Sequence, residues 1–147
     1  MRYYFFAVLF STNLFIPEGF GQTRFTDVTA PSGIKQVFKV YEGMFGGGAC
    51  VFDYNNDGYE DLYITGGMND DVLYKNNGNG TFTNIFDKSG LVLTKKYVTQ
   101  GVAGADVNRD GYVDLFITTI TSREKKEVIP REINLLFLNN GNGTFRD

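Results

Sequence analysis

Short apolar runs separated by polar, glycine-rich stretches dominate the chain after its first twenty residues. Ala49, Cys50, Val51 and Phe52 form one run, and Leu62, Tyr63 and Ile64 form the core of another at 61–65. Further runs lie at 72–75 and 81–86, the last after a Gly-Asn-Gly turn. Runs of this length, bounded by Gly and Asn, predict short β-strands joined by tight turns. No apolar spacing of 3.6 residues is sustained, so long helices are not expected.

The pattern then repeats. Segment 48–53 aligns with 101–106, and DLYIT at 61–65 with DLFIT at 114–118. NNGNGTF stands unchanged at 76–82 and at 139–145. The second copy is longer between its last two segments, and the extra residues fall in SREKKEVIPRE at 122–132, a charged stretch that predicts a solvated loop. A weaker match, FTDVTAPSGI at 25–34 against FTNIFDKSGL at 82–91, makes the chain open on the tail of one unit. A repeated group of four short strands predicts four-stranded antiparallel blades. The fold class expected is all-β: a partial β-propeller of about two blades, unit one about 45–91 and unit two about 98–147. The first strand of each unit is rich in Gly, Ala and Val, as crowding around a central axis requires. Segment 25–29 is a candidate closing strand for the ring.

Composition narrows the function. The net charge is −3, with no basic footprint for nucleic acid. The absence of His and the single cysteine exclude Ser–His and Cys–His nucleophilic centres within this chain. Cys50 cannot form an internal disulfide, and its apolar neighbours make it a small hydrophobe. Residues 1–21 carry Arg2, an apolar run and the closely spaced Gly19 and Gly21, which reads as a secretory signal peptide; the run is too short and broken for a membrane span. The expected location is secreted, periplasmic or cell-surface.

The densest chemistry lies in DYNNDGYED at 53–61 and DVNRDGYVD at 106–114. Asp53, Asn55 and Asp57, and again Asp106, Asn108 and Asp110, hold positions 1, 3 and 5 of a tight loop. Gly58 and Gly111 allow a sharp turn at position 6. Tyr59 and Tyr112 offer backbone carbonyls at position 7, and Asp61 and Asp114 close each loop at position 9. Oxygen donors alone, in a flexible loop, suit Ca²⁺ better than Mg²⁺, which demands stricter octahedral geometry. Two Ca²⁺ sites are therefore expected. An EF-hand would need Glu at position 12, where Ile64 and Ile117 stand. Ordinary turns capped by Asp and Asn side chains are the competing explanation. Asn79 and Asn142 match the N-glycosylation pattern, although hairpin turns explain both strings.

These residues resemble the FG-GAP (VCBS-type) repeat of integrin α-chain propellers and secreted bacterial proteins: Phe45-Gly46, DYNNDGYED, DLYITGG and VLYKNNGNGTFTNIF. LYKNNGNGTF and FTDVTAPSGI are similar to the ASPIC/UnbV group related to cartilage acidic proteins. The resemblance covers most of 25–147 and implies a β-propeller whose loop aspartates bind Ca²⁺ on one face. Asn at position 3, where integrins often have Asp, lowers the charge. The second copy lacks the FG pair, with Thr99 and Gln100 before Gly101. Full propellers have more blades than this chain supplies, so further repeats are expected beyond Asp147. The function implied is a non-enzymatic binding module for an extracellular protein or polysaccharide. The alternative is the propeller portion of a polysaccharide lyase or hydrolase.

Overall fold

The computed structural model describes residues 24–40, 46–122 and 133–147. Residues 1–21, where a signal peptide is expected, Phe45 and most of the charged insertion lie outside the described residues. Eight strands form two four-stranded antiparallel sheets, each in simple sequential order. Sheet one comprises β1 (Ala49–Phe52), β2 (Asp61–Ile64), β3 (Val72–Asn76) and β4 (Phe82–Asn84). Sheet two comprises β5 (Tyr97–Ala105), β6 (Asp114–Ser122), β7 (Leu135–Asn139) and β8 (Phe145–Arg146). The only helical pieces described are two 3₁₀ segments between the sheets, Phe86–Lys88 and Val92–Lys96. Among the described residues no helix is long and apolar enough to cross a membrane. The two sheets are adjacent blades of a partial β-propeller.

Alternation along the strands decides which face is buried. Leu115 and Ile117 on β6, with Leu135 and Phe137 on β7, turn toward blade one. Blade one answers with Phe52, Tyr63 and Leu73, and the rings of Phe52 and Phe145 meet edge to face at 6.5 Å. One core therefore lies between the blades. Blade two carries the same outer face in register, with Phe116 in place of Tyr63 and Leu136 in place of Leu73. Tyr63 and Leu73 are 0% exposed, whereas Phe116 and Leu136 are 43% and 41% exposed. The face that blade one covers with blade two is open on blade two.

Close approach of the first strands explains their small residues. A Cβ on Gly48 would stand 2.8 Å from the Val102 nitrogen and 2.9 Å from the Gly101 Cα. A Cβ on Gly104 would meet the Cys50 sulfur at 2.9 Å. Cys50 is half-buried, and burial above all pushes its thiol pKa up, so it behaves as the small hydrophobe its neighbours imply. Polar contacts lock the same seam. Thr65 Oγ1 accepts from Gly48 N at 2.8 Å and donates across to the Gln100 carbonyl at 3.0 Å. Buried Asp71 accepts from Tyr63 Oη at 2.6 Å, from Gly66 N at 2.7 Å, and from the Thr99 hydroxyl of blade two.

Segment 25–29 does not form the expected closing strand. It pairs with no strand and leads into a turn at 29–33, closed by Ser32 N donating to Val28 O at 2.9 Å. Asp27 side-chain Oδ1 takes the Thr29 N–H at 2.9 Å, so local bonds hold the backbone in a turn. What the segment shares with its repeat is a clip. Phe82 N donates to Ser32 O at 2.8 Å, as Phe145 N donates to Ser89 O at 2.7 Å.

Candidate metal centre

Both Asp-rich loops connect the first two strands of a blade, and both end on a carboxylate that starts the second strand: Asp61 on β2 and Asp114 on β6. They are strand–loop–strand units, as expected once the EF-hand is excluded. Their internal bonds are copies of each other. Asp53 accepts from Asp57 N at 3.0 Å and Gly58 N at 2.7 Å; Asp106 accepts from Asp110 N at 3.1 Å and Gly111 N at 2.9 Å. Asp57 Oδ1 takes Tyr59 N at 3.1 Å, and Asp110 Oδ1 takes Tyr112 N at 2.9 Å. The position-3 amides of Asn55 and Asn108 donate to Asp57 and Asp110 at 3.0 and 2.8 Å.

The turn geometry requires its residues. Gly58 and Gly111 have φ of +85° and +90°, and a Cβ on either would meet no atom within 4 Å, so conformation rather than space selects glycine. Position 4 is also left-handed, with φ of 56° at Asn56 and 62° at Arg109. The tyrosines at position 7 lie against the hairpins of their own blades: a Cβ on Gly78 would meet the Tyr59 ring at 2.7 Å, and one on Gly141 the Tyr112 ring at 2.8 Å. Those hairpins are held by Asn79 and Asn142, each accepting from a threonine N–H at 3.1 Å, which is the turn role that the string implied.

Asp61 and Asp114 are buried. Each accepts two backbone N–H groups: Asp61 from Tyr54 at 3.1 Å and Asn76 at 2.7 Å, Asp114 from Val107 at 3.0 Å and Asn139 at 2.8 Å. Burial is the largest influence on Asp61 and raises its pKa despite those bonds, with the Asp57 and Asp53 charges adding to the rise. The Asn55 amide is the main cause of a lowered pKa at Asp57, with Lys75 assisting. Lys75 Nζ lies 3.1 Å from Asp57 Oδ2.

The donor set fits a hard cation in type and order: carboxylate or amide oxygen at positions 1, 3, 5 and 9, around a glycine turn. Among the described residues, however, no three Asp, Glu, Cys or His side chains are gathered closely enough to hold a metal by themselves. The carboxylates are instead turned onto N–H groups: Asp53, Asp57, Asp106 and Asp110 onto those of their own loops, and Asp61 and Asp114 onto one in the loop and one on the third strand of the blade. An asparagine at position 3 further limits positions 1, 3, 5 and 9 of each loop to three carboxylates.

Three residues important to the site region escape a reading of spacing alone. Tyr54, at position 2, is 6% exposed, although it lies within a polar string; its counterpart Val107 is 55% exposed. The difference is blade two, which covers one and not the other. Asn139 is buried and ties the loops together, donating from Nδ2 to Tyr54 O at 2.8 Å while its own N–H holds Asp114. Asn56 Nδ2 also reaches the Gly111 carbonyl at 3.1 Å. The two loops therefore share one end of the blade pair and touch each other.

The described residues are all-β, with two repeated four-stranded blades that each carry the same Asp-rich loop, which is the architecture of a partial β-propeller. Residues 53–117, from the first loop to the middle of β6, match the family model of the FG-GAP-like repeat. No curated protein and no solved structure matches the chain.

Proposed function

We propose that the chain is a secreted, calcium-binding propeller module that binds an extracellular protein or polysaccharide and catalyses no reaction. The observation that carries this reading is the duplicated loop, with matching hydrogen bonds and a buried carboxylate at the same strand start in both blades. Asp53, Asn55, Asp57, Asp61 and the Tyr59 carbonyl would hold one Ca²⁺. Asp106, Asn108, Asp110, Asp114 and the Tyr112 carbonyl would hold the other. The ion would offset the negative charge of each cluster of carboxylates, and it would bind the two strands flanking each loop. The FG-GAP-like match supports a scaffold role, although a repeat class alone does not define a partner. The open apolar face of blade two, in register with the face that blade one buries, supports a further repeat packed against it.

Thermal unfolding with and without calcium tests the reading. A ligand held only by the folded state, at a hundred times its Kd, stabilises by about 2.7 kcal/mol per site. The melting temperature is expected to rise by at least about 5 °C from EDTA to millimolar Ca²⁺. Identical curves under the two conditions would remove the calcium reading.

A further inference from the structure

The two loops differ in one neighbour that their own sequences do not contain. Lys75, the fourth residue of β3, places its ammonium 3.1 Å from Asp57 Oδ2. That oxygen already accepts from Asn55 Nδ2 at 3.0 Å, and Oδ1 of the same carboxylate accepts from Tyr59 N at 3.1 Å. Both oxygens of the position-5 ligand are therefore engaged, one of them by a full positive charge. The NNGNGTF alignment puts Leu138 on β7 at the position of Lys75. Asp110 keeps the equivalent bonds from Asn108 and Tyr112, at 2.8 and 2.9 Å. Among the described residues no Lys or Arg forms an ion pair with a carboxylate of loop two, although Arg109 lies within that loop.

We infer that Lys75 is a built-in counter-ion of loop one, which competes with a divalent cation for Asp57 and so sets the metal affinity of that loop. The inference rests on the calcium reading of the loops. Its physics is simple. A cation entering loop one must draw Asp57 Oδ2 away from an ammonium and then sit near that same charge. In loop two the register position is a leucine, and neither penalty applies. The Lys75–Asp57 pair is partly exposed, so its worth is that of a surface ion pair and the effect is moderate. Lys75 also gives loop one a partial substitute for the metal, holding Asp57 in place when calcium is scarce. The neighbouring strand would thus raise the calcium level at which loop one fills.

The test uses the full chain with loop two silenced by Asp106→Asn and Asp110→Asn. Ca²⁺ binding is followed by calorimetry and by tyrosine-sensitised Tb³⁺ luminescence. In that background Lys75→Leu is expected to tighten Ca²⁺ binding by about two- to fivefold, and Lys75→Arg to leave it near the starting value. In the converse background, with Asp53→Asn and Asp57→Asn, Lys75→Leu is expected to change nothing at loop two. Lys75→Gln, which keeps most of the side chain, repeats the test if the leucine variant does not fold by circular dichroism. Calcium binding that is unchanged or weakened on loss of the Lys75 charge would overturn the inference alone. Absence of Ca²⁺ and Tb³⁺ binding in the unsubstituted chain would overturn the calcium reading and this inference with it.

Discussion

Replacing Asp71 with alanine is expected to destabilise the fold by about 3 kcal/mol or more, lowering the melting temperature by roughly 10 °C. One buried carboxylate satisfies three donors there: the Tyr63 hydroxyl, Gly66 N and the Thr99 hydroxyl. Thr99 belongs to β5, so the same side chain closes the β2–β3 turn and joins the blades. Alanine leaves three donors at a buried site, and each unsatisfied group costs about 1–3 kcal/mol before any water relieves it. Asn keeps the shape but can accept with only one group, and its NH₂ would face donors. Asp71→Asn is therefore expected to be intermediate between the unsubstituted chain and Asp71→Ala in denaturant titrations. If both variants unfold at the same midpoint as the parent, the inter-blade role of Asp71 is wrong.

Gly48→Val is the second large effect. The obstacle is backbone: a Cβ there meets the Val102 nitrogen, the Gly101 Cα and the Gln100 carbonyl oxygen at 2.8, 2.9 and 3.1 Å. Side chains can change rotamer, but the backbone of Val102, paired with Ile117, cannot retreat without breaking the β5–β6 ladder or parting the blades. Overpacking of this kind costs about 1–3 kcal/mol, and the rigid neighbours put this site at the upper end. The control is Gly58→Ala, where nothing crowds the site and only the positive φ opposes the methyl group. Chemical denaturation is expected to separate them, with Gly48→Val losing more stability. An unperturbed Gly48→Val would mean that the first strands do not approach as closely as the structure places them.

The repeat, the short strands and the position of both Asp-rich loops were legible because each has a local cause. Alternating apolar residues build strands, and a glycine at position 6 makes the turn whatever lies elsewhere. Tertiary placement was less legible. Tyr54 looks like a loop residue until blade two covers it, and Val107 occupies the same loop position in the open. Asp71 reads as one of a pair of turn aspartates, since nothing local reveals that Thr99 will arrive from the next blade. Its counterpart Asn134 accepts from Thr119 N at 3.3 Å as Asp71 accepts from Gly66 N, so the turn contact repeats in both blades. Residues 25–29 have an apolar and polar pattern that suits a strand. They lack a partner edge, and the Asp27 side chain favours the turn that forms instead.

Calorimetric titration of the full chain with Ca²⁺, beside an Asp53→Asn, Asp106→Asn variant of the same chain, tests the central claim most directly. Two bound ions per unsubstituted chain and none in the double variant are expected, with both proteins folded by circular dichroism. Equal binding by the two proteins, or no binding by either, would contradict it, and the paired loops would then be turns capped by their own side chains.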